Sequence, residues 1–229
     1  MPGKLVAVEG QDGTGKATQV KLLTERLKKE SIAFQAISFP QYGQPSARMV
    51  EEYLKGGFGP TETIRPEIAS VFYAQDRFAT RRQIIEWQKS GNVVLADRYA
   101  ASNCAHQGGK ISDPHDRQEF FGFLEWLEFE FFGNVRPQLN IVLSIPPVIS
   151  FEAAKQRAIK ESRSQVRLGR SRDGHEIDFQ HIKNAALVYR ELTEIYPKEY
   201  KLVDCMENGR WLSPEAIHEK IWFLITPLL

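Results

Sequence analysis

Leu5-Val6-Ala7-Val8-Glu9-Gly10-Gln11-Asp12-Gly13-Thr14-Gly15-Lys16-Ala17-Thr18 runs an apolar segment into a G-x-x-x-x-G-K loop, and an amphipathic stretch follows at once. That order describes a strand, a loop and a helix. A strand ending in glycines can turn its backbone N–H groups inward around a phosphate, while the next helix aims its positive dipole end at the same anion. A lysine at the end of such a loop reaches the outer phosphates. Gly10, Gln11, Asp12, Gly13, Thr14, Gly15, Lys16, Ala17 and Thr18 are therefore candidates to hold a nucleoside triphosphate. A glycine-rich turn that only joins a strand to a helix is the plainer alternative, but it does not need both glycines and the lysine in this setting. Ala17 departs from the pattern: a Ser or Thr hydroxyl usually ligands magnesium there, so the metal must be held through an acidic residue elsewhere.

Outward from the loop, short β-rich runs alternate with helical stretches, the pattern of a parallel sheet covered on both faces. Strands are predicted at Leu5–Glu9, Phe34–Phe39, Val93–Asp97, Leu139–Ser144 and Lys201–Asp204. Helices are predicted at about 16–30, 46–55, 66–89, 117–132, 148–161, 177–195 and 214–225. The expectation is a three-layer α/β fold with a five-stranded parallel sheet, and a single domain over 1–229, since no repeat or linker divides the chain.

A net charge of +1 with 26% charged residues does not suggest a nucleic-acid-binding protein. The first residues read as a strand rather than a signal peptide, and no apolar run reaches membrane-spanning length, so a cytoplasmic protein is expected. Cys104 and Cys205 are far apart with no metal-ligand spacing, which favours reduced thiols.

Ligands collect at the carboxyl ends of strands in open parallel sheets. Here those ends are Phe39-Pro40-Gln41-Tyr42 after the second strand and Asp97-Arg98-Tyr99 after the third, followed by Ser102-Asn103-Cys104-Ala105-His106-Gln107. Between them, Val71-Phe72-Tyr73-Ala74-Gln75-Asp76-Arg77 lies on a long predicted helix, with Tyr73 and Arg77 on one face. A run from Arg157 to Arg172 contains five arginines. Taken alone, an aromatic on a helix is more often core, and a charge run is more often a solvated face.

The motifs E-G-x-D-G-x-G-K, F-P and D-R-Y-x-x-S-N, together with the arginine-rich segment, stand in the order in which this chain resembles thymidylate kinases. The resemblance runs from about Lys4 to the last helix. It implies the P-loop kinase fold with an arginine-rich lid over about 160–176, and transfer of the γ-phosphoryl group of Mg²⁺-ATP to dTMP. ATP and dTMP are then the partners, with neither nucleic acid nor membrane involved.

On that resemblance, Asp12 accepts a hydrogen bond from the sugar 3′-hydroxyl, and Arg98 and Tyr42 hold the acceptor phosphate. Tyr73, with Phe72 as the alternative ring, stacks on thymine while Arg77 reaches a base carbonyl. Ser102, Asn103 and Gln107 lie near the base; Phe39 and Pro40 complete the pocket. At His106, family members commonly carry Tyr or Phe near the sugar. Asp97 is the candidate magnesium ligand. Lys16, Asp12, Arg98, Arg167 and Arg170 form the catalytic set, with Arg163 next among the lid arginines, since the loop itself contains no arginine to serve the transition state. Asp173 and Glu176 have capping-box spacing, and His175 replaces a family aromatic.

Phe120 to Phe132 carries rings nearly all round a predicted helix, with Glu119, Glu125, Glu128 and Glu130 as its charge. A homodimer interface is the expected cover. Two rivals remain: a nucleoside kinase, which needs a carboxylate base that Phe39-Pro40-Gln41-Tyr42 does not offer, and a nucleotide-dependent switch, which needs neither base pocket nor lid.

Overall fold

β1 (Leu5–Glu9) is buried along its whole length, as its near-continuous apolar run requires of a strand covered on both faces. It lies at the centre of a five-stranded parallel sheet with β2 (Phe34–Ser38), β3 (Val93–Asp97), β4 (Leu139–Ser144) and β5 (Tyr200–Asp204), in the order β2-β3-β1-β4-β5. The computed structural model describes residues 2–167 and 178–229, with backbone alone for 161–167.

Alternate residues of β1 face opposite layers. Val6 and Val8 pack with Leu23 and Leu27 of α1 (Lys16–Lys29) and with Ile217 and Ile221 of α8 (Pro214–Ile225). Leu5 and Ala7 meet Ile84 of α3 (Pro66–Lys89) on the other side. That second layer also contains α4 (Ala100–Gly108), α5 (Pro114–Glu125) and α7 (Phe179–Ile195). Complete burial of a leucine such as Leu23 contributes about 1.5–3 kcal/mol. The three-layer arrangement is the one expected. Its strand order reverses at β1, so the crevice at the carboxyl ends of β1 and β3 is the natural ligand site.

The elements differ from expectation in several places. α4 is not among the predicted helices, because its polar run has no strong apolar period; Ala100, Ala101 and Ala105 lie on its buried face. The segment at 46–55 is a 3₁₀ turn, Pro45–Ala47, followed by α2 (Arg48–Leu54). α5 starts earlier than expected, where the Asp113 carboxylate accepts from the His115 and Asp116 N–H groups, and it ends in a π-helical turn, Trp126–Phe131. Met206–Glu207 and Arg210–Trp211 form a hairpin around Asn208 and Gly209, both at positive φ, a signal that Asn-Gly carries in sequence. The remaining helix, α6 (Pro147–Arg167), extends past the predicted 161. Among the described residues, no helix is long and apolar enough to cross a membrane.

Candidate active site

The loop after β1 is fixed by its neighbours. Gly13 has φ 87°, and a Cβ there would stand 2.0 Å from the Ser150 carbonyl oxygen at the start of α6. Any side chain would force loop and helix apart. Gln11 Nε2 donates to the Ile145 carbonyl at 2.9 Å, and Thr14 Oγ1 donates to the Gln11 carbonyl at 3.0 Å. These two side chains thus build the loop. Lys16 Nζ donates to the Gly10 and Gln11 carbonyls at 2.9 and 3.0 Å. Burial, with help from the Arg98 charge, lowers the Lys16 pKa to about 7 against the opposing pull of Asp12, Asp97 and Glu9.

Arg98 stands opposite, directly beyond β3. It adopts φ 67°, an uncommon conformation for a non-glycine residue, and its N–H donates to the Val8 carbonyl at 3.0 Å. That turn aims the guanidinium back across the phosphate loop. Nη2 donates to the Asp12 carboxylate, while Nη1 donates to Ser102 Oγ at 3.2 Å and lies 3.1 Å from His106 Nε2. Burial alone would raise the Asp12 pKa, but Arg98 and then Lys16 outweigh it and hold the carboxyl below its ordinary range.

Glu9 supports the same turn from beneath. Its buried carboxylate accepts from the Tyr99 N–H at 2.7 Å, Ser102 Oγ at 2.6 Å and the Tyr189 hydroxyl at 3.0 Å. Burial still pushes its pKa up, because these donors and Arg98 only partly offset the loss of water.

α4 carries Ser102, Asn103 and His106 at helical spacing, so all three can serve one crevice. Asn103 Nδ2 donates to the Ser70 carbonyl at 3.1 Å and to Glu128 at 3.3 Å, which fixes the amide's orientation. Its Oδ1 is buried without a hydrogen-bond partner. Phe72 packs against Tyr53 and Phe58, with ring centroids 6.0 and 5.2 Å apart. Tyr73 meets Tyr53 edge-on at 6.2 Å, and its hydroxyl feels the charges of Arg98 and Arg77.

Several expected residues have other engagements. Arg77 is 2% exposed, with Nε and Nη2 both donating to Glu128, so its guanidinium is tied to a core carboxylate instead of standing free for a base carbonyl. Glu128, one of the four glutamates that carry the charge of the ring-rich segment, is buried and also accepts from Asn134 Nδ2 at 2.8 Å. It continues the buried face that Phe121 and Leu124 begin, beside Leu127. Gln107 is buried against the Tyr53 hydroxyl at 3.5 Å, and Phe39 packs edge-on against Tyr99 at 5.5 Å. Pro40 follows Phe39 through a cis peptide bond, and Tyr42 is 61% exposed. Arg170, Arg172, Asp173, His175 and Glu176 lie outside the described residues, as do the side chains of Arg163 and Arg167.

Sequence reasoning gave no role to Asp76, Tyr189 or His181. Asp76 accepts from the Gln41 N–H at 2.8 Å and Ser46 Oγ at 2.6 Å, tying the loop after β2 to α3. Its place beside Arg77 was the available signal. His181 and Tyr189 are eight apart on α7, flanking Ala185, a spacing that puts them on one face.

Asp97 is half-buried at the end of β3, and its carboxylate makes no hydrogen bond among the described residues, while its charge acts on Lys16 and Arg98. An unengaged carboxylate beside a phosphate loop fits a magnesium ion that keeps most of its ligands as water and phosphate oxygens. The one group of three or more potential metal ligands among the described residues, Asp113, His115 and Asp116, is exposed at the start of α5, where Asp113 already serves as the cap.

Residues 8–210 match the family model described as Thymidylate kinase. The thymidylate kinase of Mycobacterium tuberculosis is 29% identical over 189 residues, covering 82% of this chain and 85% of that protein. That of Afipia carboxidovorans is 29% identical over 223 residues, covering 96% and 87%. Among solved structures, the thymidylate kinase of Candida albicans superposes with a TM-score of 0.66 at 21% identity, covering 99% of this chain and 92% of that one.

Proposed function

Because this chain belongs to the thymidylate kinase family, and so transfers a phosphoryl group from ATP to dTMP to give ADP and dTDP, we propose that the phosphate loop and Arg98 are its donor and acceptor sites. The observation that carries this division is the Arg98–Asp12 pair, set across the loop from Lys16 with both cations facing one crevice.

Gly10 to Thr18 cradle the ATP phosphates, and Lys16 follows the transferring group. ATP arrives with Mg²⁺, which supplies charge neutralisation; Asp97 is positioned to take its water shell. Arg98 grips the 5′-phosphate of dTMP through a planar fork that a lysine lacks, with Tyr42 as a second donor. The acceptor is already an anion, so positioning and charge stabilisation suffice without a strong base. Arg167 and Arg170 are the candidates for neutralising the transition state from the lid.

In the base pocket Tyr73 supplies the stacking ring. The unpartnered Asn103 Oδ1 is an acceptor facing an imide N–H, which thymine and uracil offer and cytosine does not. Arg77, Gln107 and Phe39 stiffen the pocket's wall. His106 stands beside Arg98 where the sugar is expected, next to Ser102.

A second copy of the chain is the proposed cover for an apolar stripe. Ile68, Val71 and Phe78 are exposed on one face of α3, and Phe78 continues through Phe132 and Phe131 to Trp126 by ring contacts of 5.2–5.5 Å. Sedimentation at micromolar concentration should give twice the chain mass. The cytoplasm is the proposed compartment.

The reaction is tested by ADP release with Mg²⁺-ATP and dTMP, dUMP, UMP, dCMP and thymidine in parallel. Preference for dTMP is expected. Turnover of thymidine, or silence with all five, would overturn the assignment of Arg98 to an acceptor phosphate.

A further inference from the structure

Arg98 is hydrogen-bonded not only to its own strand end and to the phosphate loop but, through His106, to a helix on another part of the chain. His106 Nε2 lies 3.1 Å from Arg98 Nη1, and His106 Nδ1 lies 2.9 Å from His181 Nε2. The two imidazoles are inclined by 26° with centroids 5.0 Å apart, and His106 also meets Tyr189 edge-on at 6.3 Å.

The proton positions in this chain follow from one fact. A guanidinium is always protonated and can only donate. His106 Nε2 must therefore accept, which leaves its single proton on Nδ1. That N–H donates to His181 Nε2, and the His181 proton is left on its own Nδ1. Each ring is thus neutral and held in one tautomer. Burial first, and then the positive charge of Arg98, disfavours the imidazolium at His106, while the Asp12 carboxylate pulls the other way. Burial likewise keeps His181 neutral.

We propose that His181 is a positioning residue for the transfer reaction: it fixes the His106 tautomer, and His106 in turn fixes the face that Arg98 presents to the acceptor phosphate. Without an acceptor at 181, His106 is free to move its proton to Nε2, where it would point a donor at a donor. Arg98 then loses one of the contacts that set the plane of its fork, and Asp12 and Ser102 alone must orient it. The inference rests on the reading of Arg98 as the phosphate-binding arginine. It gives α7 a role that its helical pattern does not announce, since position 181 lies outside every recognised motif.

The test combines kinetics with nitrogen NMR of the imidazoles. His181→Leu is expected to raise the dTMP KM about tenfold, the scale of one lost hydrogen bond to a charged group, while the ATP KM stays within about twofold. His181→Gln, whose carbonyl oxygen can accept from His106, should bring the dTMP KM back to within about threefold of the parent. In the unsubstituted protein, long-range ¹H–¹⁵N spectra should show His106 protonated on Nδ1. A His106 proton on Nε2, or His181→Leu with an unchanged dTMP KM, would overturn the proposal, and the spectrum decides even if the leucine variant fails to fold. Arg98→Lys separates the two levels. If it leaves the dTMP KM unchanged, the phosphate-binding reading itself fails; if it raises that KM while His181→Leu does not, only the positioning role is lost.

Discussion

Two arginine–carboxylate pairs border the proposed site, and they use the same chemistry for opposite ends. Arg77 and Glu128 are 2% and 1% exposed, and Asn103 and Asn134 also donate to the same carboxylate. Arg98 and Asp12 are 19% and 37% exposed, and the guanidinium's Nε has no acceptor among the described residues. A buried pair survives only when its partners consume its hydrogen-bonding capacity. A pair at a crevice rim keeps some capacity for a ligand. Both arginines follow an acidic residue, Asp76 or Asp97, so local sequence does not distinguish wall from clamp; the extent to which the interior has already claimed the donors does.

The comparison can be broken most forcefully at the wall. Glu128→Ala leaves Arg77 charged and unpaired in the core, which should destabilise the fold by about 3–5 kcal/mol. Replacing both partners, Arg77→Met with Glu128→Leu, should recover most of that loss, because no charge is then stranded. Urea unfolding of the two variants measures both. A Glu128→Ala midpoint equal to the parent's would mean that the pair is not structural.

At the clamp the signature should reverse. Arg98→Ala is expected to lower kcat/KM for dTMP by about 10²-fold, as when one donor to a reacting anion is removed, with an unfolding midpoint close to the parent's because the pair is half-open to solvent. Steady-state kinetics beside the same urea curves would check it. A large stability loss with unchanged dTMP kinetics would move Arg98 to the wall.

How much of this was legible depends on the kind of signal. The phosphate loop and all five strands announce themselves because glycine spacing and apolar runs are local properties of the chain. α4 does not: Ala100-Ala101-Ser102-Asn103 lacks a strong apolar period, and its helix is secured by alanines packed against α3, α5 and α7. The candidate residues of β3 and α4 rest on the D-R-Y-x-x-S-N spacing, and the structure brings Arg98, Ser102 and His106 together. Glu128 stands seven residues after Phe121 and four after Leu124, so helical spacing already puts it on the buried face, but nothing local announces the distant Arg77 that pairs with it there. Asp76 holds the loop after β2 and His181 meets a residue of α4, each far away in sequence, and nothing near His181 records that partner.

Asn103 belongs to both regions, which makes it the place to sharpen the contrast. Its Nδ2 is held by the wall through Ser70 and Glu128, while its Oδ1 is buried without a partner and its proposed role is to accept from the base. dCMP, which presents a ring acceptor where dTMP presents a donor, should be used at least about 30-fold less efficiently, reflecting an unpaired buried acceptor. Asn103→Ala should narrow that gap to about threefold, mostly by slowing dTMP. A gap of undiminished size would assign base discrimination to another group.

The smallest expected effect is a fraction of a proton, and it separates the two cations of the crevice. Arg98 keeps its charge in any surroundings, whereas burial and the neighbouring Arg98 charge lower the Lys16 pKa to about 7. A triphosphate brought against Nζ favours the ammonium and raises that pKa. The complex must then hold more protons than the free enzyme wherever pH exceeds about 7, so ATP binding takes up protons and affinity falls as pH rises. At pH 8 the uptake from this group approaches about one proton per ATP, and at pH 6 it approaches zero. Calorimetric titration with Mg²⁺-ATP in two buffers of different ionisation enthalpy reads it directly, with Lys16→Met as the control that should abolish it. Proton release at pH 8, or equal uptake in the methionine variant, would show that Lys16 is already charged before the phosphates arrive, and the two cations would then differ in geometry alone.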